Sequence, residues 1–271
     1  MQLSVSTWNI NSVRLRIQQV RRFLKKERPD VLCLQETKCP NDRFPLKQLR
    51  SFGYPHVAYS GQKGYNGVAI LSRHPFAQTH CLDFCERQDA RHLAVTLGPE
   101  AGAAAGIAIH NFYVPAGGDI PDPEMNLKFA HKLAFLRELR SWGDNAKPTA
   151  GPAILVGDLN VAPLENDVWS HKRLLDVVSH TPMETEALET LRREAGWVDA
   201  MRRLHPEPAK IYTWWSYRAP DWQAADKGRR LDHVWHSGAL DGALRSVSVF
   251  RQSRGWERPS DHVPVTATYE L

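Results

Sequence analysis

The sequence predicts a mixed α/β fold: two packed sheets with helices on the outer side of each. Two observations predict it. Short apolar runs recur along all 271 residues with turn residues between them, and several are apolar at every position, as strands covered on both faces are. Amphipathic helical stripes are few and fall between those runs. Proline- and glycine-rich loops at 115–123 and 145–152 do not divide the chain, so residues 1–271 are expected to form one domain.

Taken in order, residues 3–10, 31–35, 68–72, 92–97, 107–114 and 153–157 read as strands, and 231–236, 247–251 and 263–269 continue the pattern. Val13, Ile17, Val20 and Leu24 make one helical stripe, which Pro29 ends. Phe129, Leu133 and Leu136 make a second, with Lys128, Lys132 and Arg137 expected on its solvent side. A third helix has clear punctuation: Thr181 as N-cap, Pro182 at the first position, Glu184 completing a capping box, and Gly196 at the end.

Composition narrows the function classes. Hydrophobic residues at 42% and charged residues at 24% argue against wholesale disorder. A formal charge of +5 fits a polyanionic partner without demonstrating one. The cations at Arg14, Arg16, Arg21, Arg22, Lys25 and Lys26 read as a solvated helix face. No apolar run reaches membrane-spanning length and the N-terminus lacks a signal pattern, so a cytoplasmic protein is expected. The four cysteines form no C-x-x-C pair, and His171, His180 and His205 have no partner at metal spacing and read as surface residues. There is no glycine-rich nucleotide loop of the G-x-x-x-x-G-K type and no G-x-S-x-G elbow, which argues against ATP-driven chemistry and acyl transfer.

Polar groups recur where apolar runs stop. Asn9 and Asn11 follow the first run, Glu36 the second, and Asp158 with Asn160 the run at 153–157. Asp232 and His233 interrupt a run that starts at Leu231, and Asp261 with His262 precede Val263. One such residue is a cap or turn former; several, all carboxylate, amide or imidazole, suggest groups converging above the sheets. Carboxylate and amide oxygens suit a hard cation such as magnesium, and a carboxylate with an imidazole suits proton transfer. Together they describe metal-assisted attack of water on a phosphodiester.

The strings TWNINSVR (7–14), LQETK (34–38), YNGVAILS (65–72), GDLNVAP (157–163), RLDH (230–233) and PSDHVPV (259–265) resemble the exonuclease III family within the endonuclease–exonuclease–phosphatase superfamily. They occur in the family's order and span nearly the whole chain. The resemblance implies a deoxyribonuclease I-like fold, a four-layer αββα sandwich of two mixed sheets flanked by helices. It also implies a DNA-repair enzyme using Mg2+ or Mn2+ on double-stranded DNA, at abasic sites and 3′ ends, and a monomer is expected because nothing suggests an obligate dimer.

The resemblance further implies roles. Glu36 and Asp261 would hold the metal, with Asn9 and Asn11 in support; a neutral Asn11 departs from some relatives, which carry Asp there, while bacterial members often have Asn, and it puts a direct metal bond from this position in doubt. Asp158 would activate water, Asn160 and Tyr113 would touch the phosphate, and His262 would contact it while Asp232 holds the imidazole. Trp214 and Leu231 would wall the nucleotide pocket, and Arg218, Arg230 and Lys128 would reach DNA. Trp169, His171 and Trp222 are expected at the pocket mouth, where a bulky group would obstruct a continuous strand and favour 3′-end processing. The alternatives are a phosphohydrolase of the same fold acting on RNA or a small phosphodiester, and a non-catalytic binding module.

Overall fold

The computed structural model describes residues 1–271 apart from Pro220. The first sheet is built from β1 (Gln2–Asn9), β2 (Val31–Gln35), β3 (His56–Ser60), β4 (Val68–Ser72) and, from the far end of the chain, β13 (Leu244–Val249) and β14 (Val265–Glu270). The second contains β5 (Phe76–His80), β6 (His92–Leu97), β7 (Ala108–Tyr113), β8 (Ala153–Asp158), β9 (Trp197–Asp199) and β12 (Asp232–Ser237). Strand order is β13-β14-β1-β2-β4-β3 in one and β5-β6-β7-β8-β12-β9 in the other. Each sheet is mixed: β1 runs parallel to β2 and β7 to β8, and the remaining pairs are antiparallel. A two-stranded ribbon, β10 (Trp214–Trp215) with β11 (Gly228–Arg229), stands apart from both.

Burial explains the layering. Val5, Cys33 and Ile70 of the first sheet share one apolar cluster with Val95, Ile109 and Val156 of the second, so the sheets pack face to face. The outer face of the first sheet, including Trp8, Leu32 and Leu34, is covered by Val20, Phe23 and Leu24 of α1 (Ile17–Glu27) and Leu49 of α2 (Leu46–Ser51). The outer face of the second, including Phe112 and Leu155, is covered by α3 (Leu127–Ala146) and α5 (Pro182–Glu194), with α4 (His171–Leu174) between them in sequence. Because both faces are covered, β2, β4, β8 and β12 are buried at every position. The expected four-layer αββα sandwich is therefore the observed fold. Two short helices, α6 (Ala200–Leu204) and α7 (Trp222–Ala225), complete it.

Some expectations need correction. Lys132 lies on the buried side of α3, with Phe129, Phe135, Leu136 and Leu139, while Leu133 is only half-buried. The helix continues to Ala146, so the loop expected from 145 is shorter. Strand β13 starts and ends earlier than the expected 247–251, and Arg251 opens a 3-10 turn. The capping box of α5 forms as expected, with Glu184 accepting from the Thr181 hydroxyl at 2.7 Å and backbone N–H at 3.2 Å.

Candidate active site

Strand register brings the polar residues together. Asp158 is paired with Tyr113 across β7–β8 and with Asp232 across β8–β12, so three functional side chains come from adjacent strand ends. Gly157 makes this approach possible: a Cβ there would lie 1.9 Å from the Phe112 carbonyl oxygen, and its φ of 149° suits glycine. From the facing sheet, Asn9 ends β1 and Glu36 follows β2. The loop carrying Asp261 and His262 is fastened to β1, because the Ser260 hydroxyl donates to the Asn9 carbonyl (2.7 Å) and the Trp8 indole donates to the His262 carbonyl (3.1 Å).

Asn9 bridges the sheets, its carboxamide donating to Glu36 Oε1 (2.9 Å) and Asp158 Oδ2 (2.8 Å). The Tyr113 hydroxyl donates to the same Glu36 oxygen at 2.8 Å. Asn160 donates through Nδ2 to Asp158 Oδ2 (3.2 Å) and to the Val114 carbonyl (2.9 Å). His262 Nδ1 lies 2.8 Å from Asp232 Oδ2, and its Nε2 lies 3.6 Å from Asp158 Oδ2. Asn11 donates to Asp261 Oδ1 (3.1 Å) and accepts from Lys38 (2.7 Å).

The backbone at this site is unusual. Asn11, Ser12, Glu36, Lys38 and Asn160 all have positive φ, between 46° and 88°. Such conformations cost roughly 1–3 kcal/mol each and persist where the surroundings over-determine them. Arg16 supplies part of that determination. It is buried, not on a solvated face, and donates to the Asn11 carbonyl, the Arg258 carbonyl (3.0 Å) and the Tyr217 hydroxyl (3.1 Å).

Charge decides the protonation states. Burial pushes the Asp158 carboxyl up; His262 and the Asn9 hydrogen bond oppose this, Asp232 and Glu36 add to it, and the result is about 7. Burial alone would push His262 down, but the Asp232 and Asp158 carboxylates overcome it and carry the imidazole up to about 10. Burial, with Glu36 and Asp158 nearby, pushes the Tyr113 phenol well above its ordinary value, so it keeps its proton near neutral pH. Burial would also raise Glu36, but Lys38 and hydrogen bonds from Asn9, Lys38 and Tyr113 hold it below the usual range. Asp261 is likewise held low, by His262 and by hydrogen bonds from Trp214 and Asn11 that outweigh its burial.

Two groupings carry ligand-type side chains. Glu36 and Asp261, with Asn9 and Asn11 between them, offer oxygens only, and an oxygen donor set with two carboxylates fits a hard divalent cation. Asp158, Asp232 and His262 bring one ligand atom each within 4.8 Å of the others. In that second grouping both imidazole nitrogens already face carboxylates, Nδ1 2.8 Å from Asp232 and Nε2 3.6 Å from Asp158.

The residues open into a cleft of about 820 Å³. Glu36, Asp158, Asn160, Asp261 and His262 line one part of it, and Trp214, Leu231, Trp169 and Trp222 another. As expected for adjacent strand residues, Trp215 is buried while Trp214 faces the cleft, its indole donating to Asp261 Oδ2 at 2.9 Å. Trp169 both lines the cleft and packs on the cluster holding Leu174 and Leu231, with the Arg173 and Lys227 cations over its ring. Trp222 packs edge-on against Trp215. Arg218 lines the cleft, and Lys128 is exposed at the start of α3.

Two expectations fail here. Arg230 does not reach DNA: it is fully buried, paired with Asp167 (2.7 Å) and Asp199 (2.6 Å). His171 is not at the mouth: it lines a separate groove, where its Nδ1 lies 2.8 Å from Nε2 of His180, itself buried and not a surface residue. Lys38 and Arg16 are the site residues that sequence reasoning missed. Lys38 had a signal, since it closes the LQETK string and stands 2.6 Å from Glu36.

Fold and site together define a metal-assisted phosphoesterase class, and the chain belongs to the Endonuclease/Exonuclease/phosphatase family, whose profile matches residues 6–262. It is 29% identical to exodeoxyribonuclease III of Haemophilus influenzae, over 97% of this chain and 98% of that protein. Among solved structures it is similar to an AP endonuclease from Archaeoglobus fulgidus, 32% identical with a TM-score of 0.90, covering 99% of this chain and all of that one (100%). It is also similar to the 3′ phosphatase NExo from Neisseria bound to a product DNA hairpin, 33% identical with a TM-score of 0.89 and coverages of 99% and 100%. The expected family is thereby confirmed, and the chain is a hydrolytic nuclease. No helix among the described residues is long and apolar enough to cross a membrane.

Proposed function

We propose that this protein is a magnesium-dependent DNA-repair phosphodiesterase that acts, as a single-domain monomer, on 3′ ends and abasic sites of duplex DNA. The observation that carries the reading is the convergence, in one cleft, of a buried carboxyl (Asp158), a carboxylate-held imidazole (His262) and an aromatic wall (Trp214). Asp158 takes the proton from the attacking water, a task suited to a base whose ionisation lies near the working pH. His262, fixed by Asp232, presents its protonated face to a phosphate oxygen. Asn160 and the Tyr113 hydroxyl add neutral donors, and the retained Tyr113 proton argues against a phenolate base. Glu36 and Asp261, supported by Asn9 and Asn11, would hold the divalent cation, Mg2+ with Mn2+ as substitute, which offsets charge on the phosphate and leaving oxygen. Trp214 and Leu231 receive the nucleotide, and Arg218 and Lys128 meet the backbone.

One observation favours a narrower reading, in which 3′-end processing dominates: the Trp169 indole lines the cleft beside Trp214 and Leu231. An internal abasic site must enter with both flanking strands, whereas a 3′ end needs room for one. The test is an assay with and without Mg2+ on three duplexes, carrying an abasic site, a recessed 3′-hydroxyl and a 3′-phosphate. All three should be cleaved only with the metal; no metal-dependent hydrolysis of any would refute the function. Trp169→Ser should raise abasic-site cleavage relative to 3′ trimming if the indole obstructs, and leave the ratio unchanged if it only packs.

A further inference from the structure

Beneath the cleft floor, α3 carries a lysine whose charge never meets solvent. Lys132 and its partner Glu184 are both fully buried. An ammonium has three protons to donate. Lys132 spends them on Glu184 Oε1, the Asn160 carbonyl (2.7 Å) and the Ala116 carbonyl (3.3 Å). Glu184 in turn accepts from the Ser179 N–H (2.9 Å to Oε2) and from Thr181. Ala116, Asn160 and Ser179 lie on three different loops, and all three line the cleft. One buried ion pair thus ties three walls of the site to one point.

The Asn160 contact is the informative one. Asn160 has a φ of 54°, a left-handed conformation that a non-glycine residue keeps only under constraint. Lys132 grips the carbonyl of that same residue. The loop after β7 is seated on the lysine as well: at Gly117, with φ of +90°, a Cβ would come within 2.9 Å of Lys132 Cδ and 3.0 Å of Val178 Cγ1. A buried ion pair is a poor way to add stability, because apolar residues of similar volume often do as well. Its placement here makes sense if it specifies geometry.

We propose that Lys132 is a positioning residue for phosphodiester hydrolysis, holding Asn160 in its left-handed turn so that the carboxamide stays against Asp158 and the incoming phosphate. This rests on the role given to Asn160 above. The rival account is that the pair merely anchors α5 to the sheet, with Lys132 neutralising Glu184.

Steady-state kinetics and thermal unfolding of four variants separate the accounts. Lys132→Met/Glu184→Gln removes both charges together. It should unfold within a few degrees of wild type, yet lose kcat by about tenfold or more with KM nearly unchanged, as loss of oriented transition-state donors does. Glu184→Gln alone keeps the lysine and its two carbonyl contacts, and should lose stability but retain kcat in the folded protein. Asn160→Ala should lower kcat, and adding it to Lys132→Met/Glu184→Gln should cost little more, because the two act through one group. Wild-type kcat in the charge-free pair variant overturns the proposal, as does additive loss with Asn160→Ala, or a kcat loss in Glu184→Gln equal to that of the pair. Full activity of Asn160→Ala overturns the reading of Asn160 itself, and with it the proposal.

Discussion

Two buried charge clusters meet at β12, and they differ in how far their carboxylates are matched by cations. In the first, Arg230 and Arg202 meet Asp167 and Asp199, two cations and two carboxylates joined by charged hydrogen bonds, with His233 Nδ1 3.2 Å from Arg230. Burial would raise both carboxyls, but Arg230 outweighs it and each ends below its ordinary value. In the second, Glu36, Asp158 and Asp261 accept from neutral donors, and among the described residues the cationic partners of these carboxylates and of Asp232 are the Lys38 ammonium and the His262 ring. Here Asp158 is pushed up to about 7, and Asp232 Oδ1 is buried without a hydrogen-bond partner among the described residues. The outcomes part at Asp158, while Glu36 and Asp261 are held low as Asp167 and Asp199 are, because one cluster is neutral within itself and the other is short of positive charge. The first is finished as structure. On the proposed function, the second would be completed by a cation and a substrate.

The contrast is broken most severely at Asp158. Asp158→Asn should lower kcat by about 10²-fold or more, the scale of general-base loss, while leaving thermal stability equal or higher and DNA binding near normal. Weak binding with normal turnover at saturation would contradict the assignment. Next comes Arg230→Met, which takes the cation from buried Asp199 and leaves buried Asp167 with Arg202 alone. It should reduce unfolding free energy by about 3–5 kcal/mol, read by urea denaturation, with DNA affinity of the folded protein little changed. Unaltered stability together with lost affinity would return Arg230 to the DNA interface.

The smallest effect is in pH dependence, where the clusters should have opposite signatures. With the proposed roles, Asp158 acting as a carboxylate makes the rate rise with pH through about 7, and His262 acting protonated makes it fall through about 10. Cation bound at Glu36 favours the Asp158 anion, so added Mg2+ should move the acid limb lower. For stability the signs differ. The folded values of Asp167 and Asp199 are depressed, so their contribution is present above the ordinary 3.8 and lost as pH falls through the folded values. The folded value of His262 is raised, so its contribution is full below the ordinary 6.5 and lost as pH rises through about 10. Melting temperature against pH would test both; a profile flat above pH 7 would mean that His262 is not held by its carboxylates.

Much of this was legible in the sequence. Strands β2, β4 and β6 fall where apolar runs predict them, because strands buried on both faces leave no ambiguity of period. Edge strands β3 and β5 escaped, since β3 is half-buried throughout and β5 is mostly exposed, and neither makes a continuous apolar run. The site residues announced themselves by ending strands, which is why Asn9, Glu36, Asp158 and Asp232 were found without geometry. The errors share one cause. Lys132, Arg16, Arg230 and His180 are polar residues buried by pairing, and a partner distant in sequence, such as Glu184 or Asp167, leaves no local mark. His171 was misplaced because sequence proximity to Trp169 does not say which way a short helix turns its side chains.

The central claim is that the unbalanced cluster binds its cation on the Glu36–Asp261 side and not at Asp158, Asp232 and His262. The direct measurement is Mg2+ titration by calorimetry, without DNA, of wild type, Glu36→Gln and Asp232→Asn. Wild type and Asp232→Asn should bind the ion with similar affinity, and Glu36→Gln should bind it far more weakly, because an amide oxygen carries no net charge to offset the cation. Undiminished binding in Glu36→Gln with loss in Asp232→Asn would place the metal at the other grouping and contradict the account.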